Sequence, residues 1–188
     1  MTKTLSHLVG FDDAPFDRGH RGDVLLVGTV FTGGRLDGVL SGRVRRDGVN
    51  ATRTVARLVT GSRFYGHAQA VLLQGLAFAG FNVVDLHGLH AALGLPVLAV
   101  ARKAPDRAAI RRALLGHVPG GARKWRLIER AGPMEPLAGL YVQRAGIEPE
   151  AAARLLRASA LHGTLPEPLR VAHLIAGGIG RGESRHRP

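Results

Sequence analysis

The sequence predicts an α/β fold: a mixed sheet, three antiparallel strands followed by parallel strand-helix units, flanked by helices. Two observations carry this. Residues 1–45 hold three short apolar runs separated by a polar loop and a Gly-Gly turn, which is the spacing of strands. Beyond them, short apolar runs alternate with segments opened by asparagine or proline and patterned at helical period.

Residues 5–12 read as a strand buried on both faces, closed by Asp12, Asp13 and a proline at position 15. The polar loop DRGHRGD leads to a second strand over 24–31, and TGGR turns the chain into a third over 36–45. Asn50 reads as the N-cap of a helix ending at Gly61. Residues 69–73 form a strand ending at Gln74-Gly75, residues 81–94 a helix with Asn82 as N-cap, and residues 96–101 a buried strand: a βαβ unit. Pro105 opens a helix as its first residue. Residues 125–130 and 140–143 are expected strands, and Pro149 and Pro168 open two further helices. Residues 1–180 then form one domain, and 181–188 a basic, disordered tail.

Composition narrows the function. With 26 basic against 14 acidic residues the net charge is +12, which points to an anionic partner, nucleic acid before membrane. An excess of arginine over lysine follows from a GC-rich genome, but the excess of bases over acids does not. No apolar run is long enough to span a bilayer, and residues 1–6 are too short and polar for a secretory signal, so a cytoplasmic protein is expected. Cysteine is absent, which excludes disulfides, zinc ribbons and thiol catalysis. P-loop, dinucleotide, His-Glu-x-x-His and nucleophile-elbow motifs are absent too.

Three antiparallel strands, a helix, then strand-helix-strand-helix is the order of the ribonuclease H-like fold. There the first and fourth strands lie side by side, so Asp12 and Gln74 would be neighbours at their carboxyl ends. Acids at that position are what a magnesium-dependent phosphoryl-transfer site needs: hard oxygen ligands on a rigid frame, with room for water and phosphate.

The stretches GFDDAPF, GGRLDGVLSGRV, LLQGLAFAGFNVVDLHGL, GLPVLAVARK and LPEPLRVAHLIAGGI together resemble an archaeal family, domain of unknown function ninety-nine, grouped with endonuclease V. The resemblance covers nearly the whole chain. It implies that Asp12, in Gly10-Phe11-Asp12, is the catalytic aspartate of the first strand. The third-strand motif of endonuclease V resembles Asp37 to Val44, its arginine falling on Arg43 and its catalytic glutamate on Val44. The aspartate of the fourth strand falls on Gln74, so two expected acids are missing. The lysine after the fifth strand falls on Arg102, with Lys103 beside it, and the late segment matches Pro166-Glu167-Pro168, Arg170 and His173.

Asp13, Asp37, Asp47 and Asp85 are the acids that could replace the missing ones. Asp85 is favoured by its place near a helix N-terminus at the same end of the sheet. Asp13 would face the opposite side of a regular strand unless the Pro15 turn brings it back. The glycines of LQGLAFAGFN could let a loop, with Asn82, lie close to a nucleic-acid strand, with Phe78 and Phe81 as stacking residues. His87 and His90 lack a third ligand and read as surface or core residues.

The expectation is a metal-dependent endonuclease acting on DNA, beside a deaminated base such as deoxyuridine or deoxyinosine, the base preference coming from the resemblance alone. Asp12 and Asp13 would bind Mg²⁺ (or Mn²⁺), Asp85 and His173 would complete the catalytic group, and Arg102, Lys103, Arg170, Asn82 and Arg43 would contact nucleic acid. The alternative is a nucleic-acid-binding protein that keeps the fold and basic surface without catalysis.

Overall fold

A computed structural model describes residues 5–185. A seven-stranded mixed sheet, order β3-β2-β1-β4-β7-β9-β8, forms its centre. β1 (His7–Asp13), β2 (Asp23–Thr32) and β3 (Arg35–Arg45) make the antiparallel meander, and α1 (Ala51–Thr60) leads to β4 (Ala70–Gln74). A hairpin of β5 (Ala77–Phe78) and β6 (Asn82–Val83) precedes α2 (Leu86–Leu93) and β7 (Val97–Ala101). Then follow α3 (Arg107–His117), α4 (Gly121–Ala131), β8 (Glu135–Leu137), β9 (Leu140–Ala145), α5 (Pro149–Ser159) and α6 (Glu167–Arg181).

β4 lies parallel to β1, Phe11 opposite Leu73, and β7 parallel to β4. The ribonuclease H-like order is therefore present, and β9 and β8 extend it as antiparallel strands. The central strands are apolar on both faces because helices cover both. Leu8, Leu72 and Leu98 pack with Leu155, Leu156 and Leu169 of α5 and α6, whereas Val9, Leu73 and Ala99 join Val55 of α1 and Leu89 of α2. Successive strand residues feed opposite cores. Asp12, in phase with Leu8, faces the α6 side, and Asp13 faces the α1 side.

Glycine sets how closely α6 approaches. A Cβ on Gly10 would lie 2.6 Å from the carbonyl carbon and Cβ of Pro168, and Thr29, opposite Gly10, donates its hydroxyl to the Pro168 carbonyl at 2.6 Å. The first turn of α6 therefore rests directly on β1 and β2, which carries His173, farther along the helix, over Asp12.

Several expectations need correction. Residues 125–130 lie in α4, not in a strand: Gly121 and Lys124 are buried one helical turn apart, and a Cβ on Gly121 would strike the Leu114 carbonyl of α3. Asn82 caps no helix; it lies in β6, and α2 begins at Leu86 with Asp85 as N-cap, its carboxylate accepting the Gly88 N–H. Pro105 precedes α3, whose N-cap is Asp106. Of the tail expected over 181–188, Arg181 closes α6 and Ser184 donates to the Leu174 carbonyl, while residues 186–188 lie outside the described residues, as does most of the segment 1–6. Among the described residues no helix is long and apolar enough to cross a membrane.

Candidate active site

At the carboxyl ends of β1 and β4, a cleft of about 510 Å³ is lined by Asp12, Asp13, Gln74, His173, Arg181 and Arg185, with Ala14, Pro15 and Phe16 as one wall. Asp12 is 5% exposed, yet both carboxylate oxygens are satisfied. Oδ1 accepts the Asp13 N–H at 2.9 Å and Oδ2 faces Nδ1 of His173 at 2.8 Å. That bond holds the imidazole above its usual pKa, against the opposing charge of nearby Arg102. A protonated His173 spends Nδ1–H on Asp12 and keeps Nε2–H for the cleft.

Asp13 Oδ2 accepts the Ala79 N–H at 2.7 Å. Burial and the neighbouring Asp12 push its carboxyl up to about 7, the response expected of two acids sharing one rim. Strand alternation starts Asp12 and Asp13 from opposite faces of β1, but at the strand's end both side chains border the cleft and act on one another.

Gln74 stands on the neighbouring strand in the place of the expected second acid. Its Oε1 is the buried side-chain oxygen that finds no hydrogen-bond partner among the described residues. An orphaned carbonyl oxygen is costly unless something outside the protein satisfies it. Among the described residues no three His, Cys, Asp or Glu side chains gather as a metal cluster. Asp12, Asp13 and Gln74, which line the cleft together, carry oxygen donors of the hard type that Mg²⁺ and Mn²⁺ take. Mg²⁺ in particular is commonly held by one or two carboxylates, with water and substrate phosphate completing its shell.

The remaining expected residues divide. Arg102 and Lys103 are exposed just beyond β7, Arg102 near enough for its charge to bear on His173. Arg43 lines an adjoining groove of about 710 Å³ that shares Ala14, Pro15 and Phe16 with the cleft. Arg170 forms a two-point ion pair with buried Glu167, both bonds 2.8 Å, which uses its charge at the start of α6.

The structure does not bring Asp85 or Asn82 to this group. Asp85 caps α2, pairs with Arg130 and lines a separate cavity between α1, α2 and α4. Asn82 is wholly buried, accepting the Ala51 N–H and donating to the Arg45 carbonyl and Asn50 Oδ1. Phe78 is fully buried and closed to stacking. Asp37 is tied to Arg35 and Thr32 in the β2–β3 hairpin. Residue patterns did not single out the Gln74 oxygen, Arg181 or Arg185 as site groups. Only the fourth-strand alignment, which put Gln74 beside Asp12, offered a signal.

A family model described as endonuclease dU matches residues 5–180. A UPF0215 protein of Deinococcus radiodurans is 63% identical over 180 residues, 96% of this chain and 92% of that one. Among solved structures, a protein of unknown function from Archaeoglobus fulgidus matches with TM-score 0.88 at 31% identity, covering 94% of this chain and 99% of that one. Human endonuclease V matches with TM-score 0.59 at 18% identity, over 92% of this chain and 83% of its own. Endonuclease V of Ciona intestinalis, in complex with a DNA containing an inosine, matches with TM-score 0.57 at 13% identity, over 89% and 82%. The endonuclease V likenesses show the shared ribonuclease H-like fold.

Proposed function

The chain belongs to the endonuclease dU family and is nuclease-related, and on that premise we propose that it is a metal-dependent endonuclease that cuts DNA beside a deaminated base, deoxyuridine first and deoxyinosine second. One observation carries the reading. Asp12, Asp13 and Gln74, whose buried oxygen has no partner among the described residues, line one cleft at the ends of two parallel central strands, with His173 bonded to Asp12. The net charge of +12 and the DNA held by a structural relative favour nucleic acid as partner.

Asp12, Asp13 and Gln74 would hold a divalent cation, which when bound supplies a Lewis acid for the phosphoryl oxygen and a more acidic water. The chain's own groups do the rest. His173, whose imidazolium form Asp12 favours, would in that form donate Nε2–H to a phosphate oxygen, stabilising charge that grows as the phosphodiester is attacked. Arg102 and Lys103 beyond β7, with Arg181 at the end of α6, would draw the backbone into the cleft. In hydrolysis the water oxygen bonds to phosphorus, one bridging P–O bond breaks, and a proton passes to the leaving oxygen.

The test is a panel of end-labelled single- and double-stranded oligonucleotides, undamaged or carrying one deoxyuridine or deoxyinosine, incubated with Mg²⁺, Mn²⁺ or EDTA. Metal-dependent scission favouring the deaminated strands supports the proposal. Salt-sensitive binding of every strand with no scission would instead select the non-catalytic binding protein.

A further inference from the structure

Asp13 lies on the opposite face of β1 from Asp12, and its carboxylate is steered by one outside donor, the Ala79 N–H in the turn between β5 and β6. That turn is unusual. Ala79 has φ 48 and Gly80 φ 82, and for alanine the left-handed conformation costs roughly 1–2 kcal/mol. Something must hold it there.

Asp47, in the turn after β3, grips that turn at several points. Its N–H donates to the Ala79 carbonyl at 2.9 Å, and its Oδ1 accepts the Phe81 N–H at 2.8 Å. A Cβ on Gly80 would lie 2.5 Å from that Oδ1, so the glycine lets the turn sit flush against the carboxylate. Asp47 is itself fixed: Oδ2 faces Arg46 at 3.4 Å, and its carbonyl accepts from the ammonium of Lys124. Lys124 is 2% exposed and forms no ion pair among the described residues, so a buried cation is committed to one backbone carbonyl. Asp47 also has φ 51, a conformation that aspartate and asparagine tolerate better than most residues.

We propose that Asp47 is a positioning residue for Asp13: it holds the Ala79 turn, backed by Lys124, so that the Ala79 N–H keeps the Asp13 carboxylate turned into the cleft. The inference rests on the nuclease reading for its catalytic consequence, though not for its geometry. Asp47, one of the acids that could have replaced the missing ligands, acts from behind the site instead of in it.

Two readouts test this. Asp47→Gly removes the acceptor for Phe81 while suiting the positive φ, and Asp47→Asn restores the acceptor. In steady-state cleavage of a deoxyuridine strand, Asp47→Gly should lower kcat by about 10- to 100-fold with KM within about twofold, the effect of misplacing one group by about an ångström. Asp47→Asn should stay within about threefold of the parent, and Lys124→Met should show a smaller loss than Asp47→Gly. In an Asp13→Asn background, Asp47→Gly should add less than about twofold, because the two act as a unit. A loss that simply multiplies that of Asp13→Asn would overturn the proposal.

The second readout needs no activity. Exchange of the Ala79 amide should quicken at least about tenfold in Asp47→Gly and stay protected in Asp47→Asn. Unchanged exchange in a folded Asp47→Gly, checked by Trp125 emission, overturns the proposal. If the parent cuts no strand, the nuclease reading fails, and the exchange result still decides whether Asp47 holds the turn.

Discussion

Gly10→Ala should disable the site without touching a polar group. The added methyl would meet backbone and ring carbons of Pro168 at 2.6 Å, and the Pro168 carbonyl oxygen at 2.8 Å. Carbon atoms settle at about 3.5–4.0 Å, so the first turn of α6 must retreat by about 1 Å, and proline backbone cannot rotate out of the way as a side-chain tip would. Overpacking of this kind costs roughly 1–3 kcal/mol. The Thr29 bond to the Pro168 carbonyl, now 2.6 Å, stretches with it. His173 rides on the same helix, and its 2.8 Å contact with Asp12 does not survive a shift of that size. At about 2–4 °C per kcal/mol for a chain of this length, Tm should fall by roughly 2–12 °C. The turnover of a deoxyuridine strand should fall by about 100-fold at a temperature where the variant is folded. Melting followed by Trp125 emission, with single-turnover cleavage beside it, measures both. Gly19→Ala, where a Cβ meets nothing within 4 Å, is the control and should change neither. A Gly10→Ala protein with parental Tm and parental cleavage would refute the argument that this glycine sets the height of α6 above Asp12.

Asp13 makes the metal-free protein pH-sensitive. Its carboxyl rises from 3.8 to about 7 on folding, so the folded state holds the proton more tightly, and stability is lost as pH climbs between those values. The change amounts to about 4 kcal/mol at most. In EDTA, Asp13→Asn should therefore melt higher than the parent above pH 7, and with metal it should cleave more slowly; equal melting at pH 8 would contradict a carboxyl raised by burial and by Asp12. Asn82→Ala breaks a buried amide with three partners and should cost about 2–4 kcal/mol in denaturant unfolding, leaving nucleic-acid affinity of the folded protein unchanged. His173→Ala should reduce kcat by about 100-fold or more, measured at saturating substrate.

The β1–β4 pairing was legible through the element order of the ribonuclease H-like fold, and the place of Asp12 beside Gln74 followed from it. Less could be read where a tertiary partner overrides a local signal. Asn82 and Asp85 are both N-cap residue types three positions apart, and Asp85 takes the cap because the Asn82 amide is drawn into bonds with Arg45, Asn50 and Ala51. Residues 125–130 read as a strand because Lys124, a charged residue buried on a carbonyl, interrupts the apolar stripe that would mark a helix. Gln74 read as a loss of charge, since only the folded structure shows that its oxygen is buried without a partner beside Asp12. Arg181 read as tail because helical period alone did not carry α6 past Ile179, and its place on the cleft wall depends on that last turn.

On the proposed reading, Asp12 organises a metal-dependent phosphodiester hydrolase. The most direct measurement is single-turnover cleavage of a deoxyuridine-bearing strand with Mg²⁺ by the parent and by Asp12→Asn, a variant of nearly the same shape whose folding is verified by Trp125 emission. The parent should give Mg²⁺-dependent product and the variant a rate lower by about 1,000-fold or more, the loss expected on removing a buried electrostatic anchor. Equal rates from the two proteins, or product from the parent in EDTA, would contradict that reading.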